Sequence, residues 1–384
     1  MMSAVSILMV AGERSGDIYG GQLASVLHSK LANLEIFGCG GQAMNHGGVE
    51  NVVDSHQFAM VGITEVASGL PRAYRAFRRL RREAARRKPK LAVLIDSPSL
   101  NMRLAKRLKR MGIPVLYFIS PQIWAWKKWR LHQLTKLVDR MVCIFDFEEG
   151  IYQKVGIPVS YVGHPLVDRV RPLRTRQQFF AEAGLSPDLP LVALLPGSRG
   201  IELRYNLPAI IGAVERLAAA RPIQFALALA PGRDQAELES RIRQLEARRL
   251  PVHIVTNSAY DALAYSAVAV VASGTATVEA ALLECPMVVI YRISPITAFF
   301  ARFMVDVPFY SMVNLLAGKR VATELIQKDL TAERLAAELR RLLDSGDFRE
   351  EMRRDLRAIR LRLGAGGAIG RAADAAIEML NATT

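Results

Sequence analysis

Metal-binding signatures are missing from this chain. No Asp-x-Asp pair occurs anywhere in its 384 residues, so a divalent ion bridging a diphosphate has no evident pair of ligands. Cysteine is scarce too. Cys39, Cys143 and Cys285 are far apart and odd in number, which excludes a disulfide framework, gives no zinc spacing and suits a reducing cytoplasm. The absence of G-x-x-x-x-G-K-[ST] argues against a P-loop ATPase. FGCGGQAM lacks the G-x-G-x-x-G spacing, which weakens a dinucleotide oxidoreductase. No apolar run reaches the ~18 residues needed to span a bilayer. The opening MMSAVSILMVAGERSGD turns polar too early for a signal peptide. Acidic residues are in deficit, 36 against 51 Lys plus Arg, a formal charge of +15. That imbalance points to an anionic partner, whether nucleic acid, anionic lipid or phosphorylated substrate, or to nothing more than a basic proteome. Tryptophan is rarest. Trp124, Trp126 and Trp129 all sit in one basic stretch, SPQIWAWKKWR, fit for a core, a ligand wall or a membrane surface.

What the chain does have is a series of short apolar runs. They are SILMVA, LEIFGCG, KLAVLID, VLYFIS and RMVCIF in the first half, then LVALLPG, FALALA, VHIVT, AVAVVASG and MVVIY. Continuous rather than alternating runs predict strands buried on both faces of parallel sheets. The intervals suit crossover helices, and the length exceeds one core, so each half reads as a doubly wound α/β domain. The join falls near GHPLVDRVRPLRTRQQ (163–178). Past about 330 the chain is helical and charged, with Thr331 starting a helix and Gly364, Gly366 and Gly367 breaking it. Two such domains create a cleft at the carboxyl ends of their strands, where ligands of open α/β sheets bind.

Polar residues just after the strands are therefore the candidates. In LLPGSRGIE, Gly197, Ser198 and Arg199 follow a strand, and arginine offers a planar fork of donors to phosphate oxygens. A plain turn with a solvated arginine fits equally well. In VVASGTATVEAALLECP, Ser273, Gly274 and Thr275 place backbone N–H groups at a helix start, where the dipole favours anions. Glu279, one turn in, can accept from ribose hydroxyls; the bland alternative is an ordinary capped helix. Together these pieces read as a nucleotide-diphosphate site. In the first half, AGERSGD opens a helix with Ser15, and LIDSPSLN delivers Asp96 to a strand end, as a helix cap or a general base.

Between strands, VGITEVASGLPRAYRAFRRLRREAARRKPK (61–90) combines an apolar stripe of Ala73, Phe77, Leu80 and Ala84 with crowded arginines. A basic amphipathic helix suits an anionic lipid surface, yet a crossover helix with its stripe on the sheet has the same pattern. No nucleic-acid motif accompanies the charge.

In order along residues 11 to 327, AGERSGD, GCGGQAM, MVGITEV, IDSPSLN, SPQIWAWKKWR, VGHPL, LLPGSRGIE, ASGTATVEAALLECPMVVIYR and NLLAGKRVATELIQ resemble the lipid-A-disaccharide synthase family. The resemblance implies a GT-B fold: two Rossmann-like domains, residues 1–168 and 169–351, with residues 352–384 packing back on the first. It implies an inverting transfer from UDP-2,3-diacylglucosamine to the 6-hydroxyl of 2,3-diacylglucosamine 1-phosphate, giving a β-1,6 disaccharide 1-phosphate and UDP, with no cofactor and no metal. Asp96 would be the general base. Arg199 and the N–H groups of Ser273, Gly274 and Thr275 would stabilise departing UDP. Glu279 would hold ribose, Glu202 would orient Arg199, and Gly197, Ser198, Ser15, Asn314 and Glu324 would line the donor site. Val61, Ile63, Val66, Leu70, Phe77 and Arg78 would face acceptor and membrane along with the three tryptophans. The chain departs from the family at Ser97-Pro98-Ser99, where several members have Ala-Pro-Asp, and lacks the proline often found ahead of Glu324. His164 is a motif residue fit for a hinge or a substrate contact. The expected partners are the two lipid substrates and the anionic inner face of the inner membrane, with an oligomer left open and no nucleic acid. The rivals are a MurG-like transferase, a UDP-sugar 2-epimerase, a transferase that only binds, and a nonenzymatic membrane or nucleic-acid-binding protein.

Overall fold

A computed structural model describes residues 5–58, 63–121, 131–197, 200–229, 249–294 and 308–382, with the side chains of 63–70 left aside. The chain divides into two compact units, Met1–Asp168 with Arg362–Thr384, and Arg169–Leu361.

The first unit is built on strands β1 (Val5–Ala11), β2 (Leu34–Gly40), β3 (Val49–Asp54), β4 (Leu91–Ile95), β5 (Val115–Phe118), β6 (Arg140–Cys143) and β7 (Val159–Tyr161). They pair in parallel in the order β3-β2-β1-β4-β5-β6-β7. The central strands carry unbroken apolar runs because helices cover both faces. Ile7 to Ala11 and Leu91 to Ile95 are fully buried. Crossovers are α1 (Arg14–Lys30), α2 (Gln42–His46), α3 (Ile63–Arg87), α4 (Pro98–Lys109), α5 (Leu131–Leu134) and α6 (Asp146–Lys154). On α3, Ala76, Leu80 and Ala84 are buried in the core while Arg72, Arg75, Arg78, Arg79, Arg81 and Arg82 are exposed. The crossover reading of this helix therefore holds for its second half.

The second unit carries β8 (Leu191–Leu195), β9 (Gln224–Leu229), β10 (Val252–Thr256), β11 (Val268–Ala272), β12 (Met287–Tyr291) and β13 (Thr323–Ile326), parallel in the order β10-β9-β8-β11-β12-β13. Its helices are α7 (Arg176–Glu182), α8 (Gly200–Ala220), α9 (Ala259–Tyr265), α10 (Thr275–Leu282), α11 (Met312–Ala317), α12 (Ala332–Asp344) and α13 (Gly346–Arg362). Thr331 starts α12 as expected, its hydroxyl accepting from Arg334 N at 3.2 Å. Residues 352–361, expected with the first unit, are held in the second. Met352, Leu356 and Ile359 are buried there, and Arg357 pairs with Glu284 at 2.7 Å.

Past Arg362 the chain is clasped to the first unit. Tyr161 donates to the Arg362 carbonyl at 2.6 Å, and His164 N to the Leu363 carbonyl at 2.8 Å. The guanidinium of Arg371 donates to the carbonyl of Val162 at 2.6 Å, and Asp168 accepts from Gly367 N at 2.9 Å. A final helix, α14 (Ala368–Ala382), then lays its alanine-rich face on α1 and β4.

In each unit the strand order reverses direction once, between β1 and β4 and between β8 and β11. Loops leaving the carboxyl ends of those four strands diverge there, opening a crevice for ligands. The β1 and β4 loops carry Ser15 and Asp96; the β8 and β11 loops carry residues 196–199 and 273–275.

Candidate active-site loops of the two units

At the first unit's switch point Asp96 follows the last residue of β4 and is half-buried. Burial pushes its carboxyl up to about 6, and the negative charge of Glu13 on the neighbouring loop adds to the rise. Removing a carboxylate from water disfavours its charged form, and a second negative charge does the same. A carboxyl so tuned exchanges protons near neutral pH. Ser15 is half-exposed in the first turn of α1. Asp17, also in the first turn, is 7% exposed and points away from solvent. It accepts from Gly41 N at 2.5 Å and from Ala43 N and Met44 N at 3.1 Å each, satisfying donors at the start of α2. The stretches AGERSGD and GCGGQAM thus bind one another.

His164 is buried, and burial pushes its imidazole down to about 3, keeping it neutral. Its Nδ1 accepts from Leu166 N at 3.1 Å, so it shapes the 163–168 turn from inside the unit. On α3, Phe77 is half-buried and packs against the core, which removes it from the expected membrane-facing set. Arg78 is exposed, 5.9 Å from the ring of exposed Tyr74. Val61, Trp124, Trp126 and Trp129 lie outside the described residues, as do the side chains of Ile63, Val66 and Leu70.

At the second unit's switch point, Pro196-Gly197 leave β8. Gly197 has φ +121, and a Cβ there would stand 2.5 Å from the Glu202 carboxylate, so only glycine fits. Fully buried Asn206 donates to the Pro196 carbonyl at 2.8 Å and fixes the start of this loop. Ser198 and Arg199 lie outside the described residues, so the orientation of Arg199 by Glu202 is not visible.

After β11, the expected trio divides. Ser273 N donates to the Ile290 carbonyl at 2.8 Å and is therefore committed to the sheet, not offered to an anion. Its hydroxyl donates to the Tyr310 carbonyl at 2.9 Å. Gly274 and Thr275 are exposed, and their N–H groups take no partner among the described residues, leaving the start of α10 ready for an anion. Glu279 accepts from the Tyr260 hydroxyl at 3.0 Å. Burial holds its carboxyl above the usual range, against that bond and the charge of Arg169.

Asn314 does not line a ligand site. It is fully buried and saturated, donating to the Ala322 carbonyl and Glu324 at 2.8 Å each and accepting from Val321 N and Ala322 N. Glu324 accepts in addition from Tyr310 N at 3.0 Å and from Ser311 N and the Ser311 hydroxyl at 2.9 and 2.7 Å. These two residues build a clamp. Through Tyr310 it reaches Ser273 and the opening of α10. Sequence reading missed Tyr310, Tyr260 and Asn206, none of which has a local pattern distinguishing it from ordinary helix or loop.

The arrangement offers a tuned carboxyl in one unit and an anion-ready helix start with a carboxylate one turn away in the other. Over residues 7–367 the chain matches the family model described as lipid-A-disaccharide synthetase. It is 44% identical over 381 residues to the lipid-A-disaccharide synthase of Myxococcus xanthus, covering 99% of each chain. Among solved structures it resembles UDP-GlcNAc 2-epimerase from Neisseria meningitidis, with TM-score 0.62 at 12% identity over 98% of this chain and 100% of that one. It likewise resembles Acinetobacter baumannii MurG, with TM-score 0.53 at 13% identity over 97% and 98%. Those two likenesses are of fold alone.

Proposed function

The chain belongs to the lipid-A-disaccharide synthase family, and on that premise we propose how its residues join UDP-2,3-diacylglucosamine to 2,3-diacylglucosamine 1-phosphate. The Asp96 carboxylate takes the proton of the acceptor's 6-hydroxyl as that oxygen attacks the donor's anomeric carbon. The new C–O bond forms as the bond to UDP breaks on the opposite face, so the anomeric configuration inverts and the linkage is β-1,6. UDP leaves with the bonding electrons. Its growing charge is met by Arg199, the N–H groups of Gly274 and Thr275, and the dipole of α10. Glu279 holds the ribose. Gly197 and Ser198 let the diphosphate approach the main chain, and Ser15 borders the Asp96 loop. Likeness to a synthase along 99% of both chains supports this reading above all, and the tuned carboxyl of Asp96 supports the choice of base.

Both substrates carry fatty chains, so the enzyme works at a bilayer surface. No helix among the described residues is long and apolar enough to cross a membrane. The exposed arginines of α3 and the apolar residues before them are assigned to peripheral docking on the anionic inner face of the inner membrane.

The test is UDP release in detergent micelles containing EDTA, with and without the acceptor. Acceptor-dependent release that survives EDTA and collapses in Asp96→Ala is expected. Release without acceptor would point instead to a hydrolase or epimerase-like activity.

A further inference from the structure

We propose that residues 95–101 form a locked elbow that aims the Asp96 side chain, with Asn101 and Tyr117 as positioning residues. This rests on Asp96 being the base. Two consecutive residues, Asp96 at φ +48 and Ser97 at φ +44, hold left-handed backbone although neither is glycine. Each such residue is strained and persists only where its surroundings over-determine it.

The surroundings do so from three sides. Asp96 N donates to the Phe118 carbonyl of the next strand at 3.0 Å. The Asp96 carbonyl accepts from the Asn101 amide at 2.8 Å and from the Tyr117 hydroxyl at 2.6 Å. The Asn101 amide also donates to the Ile95 carbonyl at 3.0 Å, and Asn101 N to the Ser97 carbonyl at 3.0 Å. On the third side lies Gly12, where a Cβ would stand 2.7 Å from the Ser97 hydroxyl oxygen. Only a bare main chain lets the β1 loop pass this close.

Asn101 and Tyr117 are fully buried. Both locks fall on main-chain oxygens rather than on the carboxylate. They therefore set the direction in which the side chain leaves the sheet and leave its chemistry to Asp96. A sharp strand-to-helix turn that raises a reactive side chain above a parallel sheet is the same physical device as the nucleophile elbow of α/β-hydrolases. Here it would serve a base. Neither residue is needed to end β4 or to start α4, since Ser97-Pro98 already supplies a proline at the first helical position.

Tyr117→Phe keeps the ring in the core and deletes one O–H, so folding is spared. We expect kcat to fall by about 10- to 100-fold, the scale of a slightly misplaced reacting group, with KM and UDP affinity unchanged. The acid limb of the kcat/KM profile should move down as the freed carboxyl turns toward water. Gly12→Ala, which presses Ser97 from the other side, should give the same signature. A lower melting temperature with kcat and the acid limb both unchanged would mean that the bonds are purely structural and would overturn the elbow. Asp96→Asn runs alongside: activity retained there would sink the base assignment itself, a different failure from that of the locks.

Discussion

As the proposed base, Asp96 ties catalysis to stability through the burial of its carboxyl. Burial, with the negative charge of Glu13 beside it, pushes its folded carboxyl up to about 6, above the ordinary aspartate range. The unfolded chain therefore releases this proton more readily, and stability declines as pH rises from about 4 to about 6, the loss persisting above that. On the proposed role of Asp96 as base, activity has the opposite dependence, because the carboxyl must be ionised. kcat/KM should fall as pH drops through about 6. Asp96→Asn should abolish transfer yet raise the melting temperature at pH 7.5, and change it little at pH 4; equal shifts at both pH values would refute the burial account. At this scale the sequence was a partial guide. Asp96 was legible because it stands directly after an apolar run, where strand ends carry function. Asn314 was misread as donor-lining from its motif, since saturation of all its hydrogen-bonding groups depends on Ala322 and Glu324 folding back around it. Tyr117 looked like core because its ring is core, and only its hydroxyl reaches Asp96.

Among elements, the join between α11 and β13 is tied to the opening of α10. Glu324 gathers Tyr310, Ser311 and Asn314, and Tyr310 in turn receives the Ser273 hydroxyl. Glu324→Gln places an amide where donors converge, and an unsatisfied buried donor costs about 1–3 kcal/mol. Lower thermal stability and weaker UDP binding by calorimetry are expected, with the acid limb set by Asp96 unmoved. Unchanged UDP affinity would uncouple this clamp from the opening of α10. Nine of the ten apolar runs read from the sequence correspond to interior strands of the two sheets, and the tenth, VHIVT, to the edge strand β10. The other three edge strands, β3, β7 and β13, escaped. VENVVD breaks its valines with Glu50, Asn51 and Asp54, VSY is only half-buried along its length, and TELI carries the clamp carboxylate. An edge strand has one neighbour and partial cover, so its composition is not held to an unbroken apolar run.

At the scale of the molecule, part of the charge of +15 is displayed by the exposed arginines of α3. Screening over about 8–10 Å at physiological salt limits surface attraction to short range, so binding to anionic vesicles should weaken steeply as salt rises. Replacing Arg72, Arg75, Arg78 and Arg79 with Gln should reduce that binding and leave UDP affinity intact, as read by vesicle co-sedimentation. Equal binding to neutral vesicles would shift the weight to the apolar residues before Pro71.

The return of α14 to the first unit has a bearing on how the protein is made. A chain leaves the ribosome from its amino end, and domains usually complete in that order. Here residues 1–168 emerge before the second unit but lack the helix that covers α1 and β4, which is translated after that unit. The second unit is one unbroken stretch and has all its parts by residue 361. The nascent first sheet must therefore wait, partly uncovered, through the synthesis of an entire neighbour. Its alanine-faced closing helix arrives only after that neighbour.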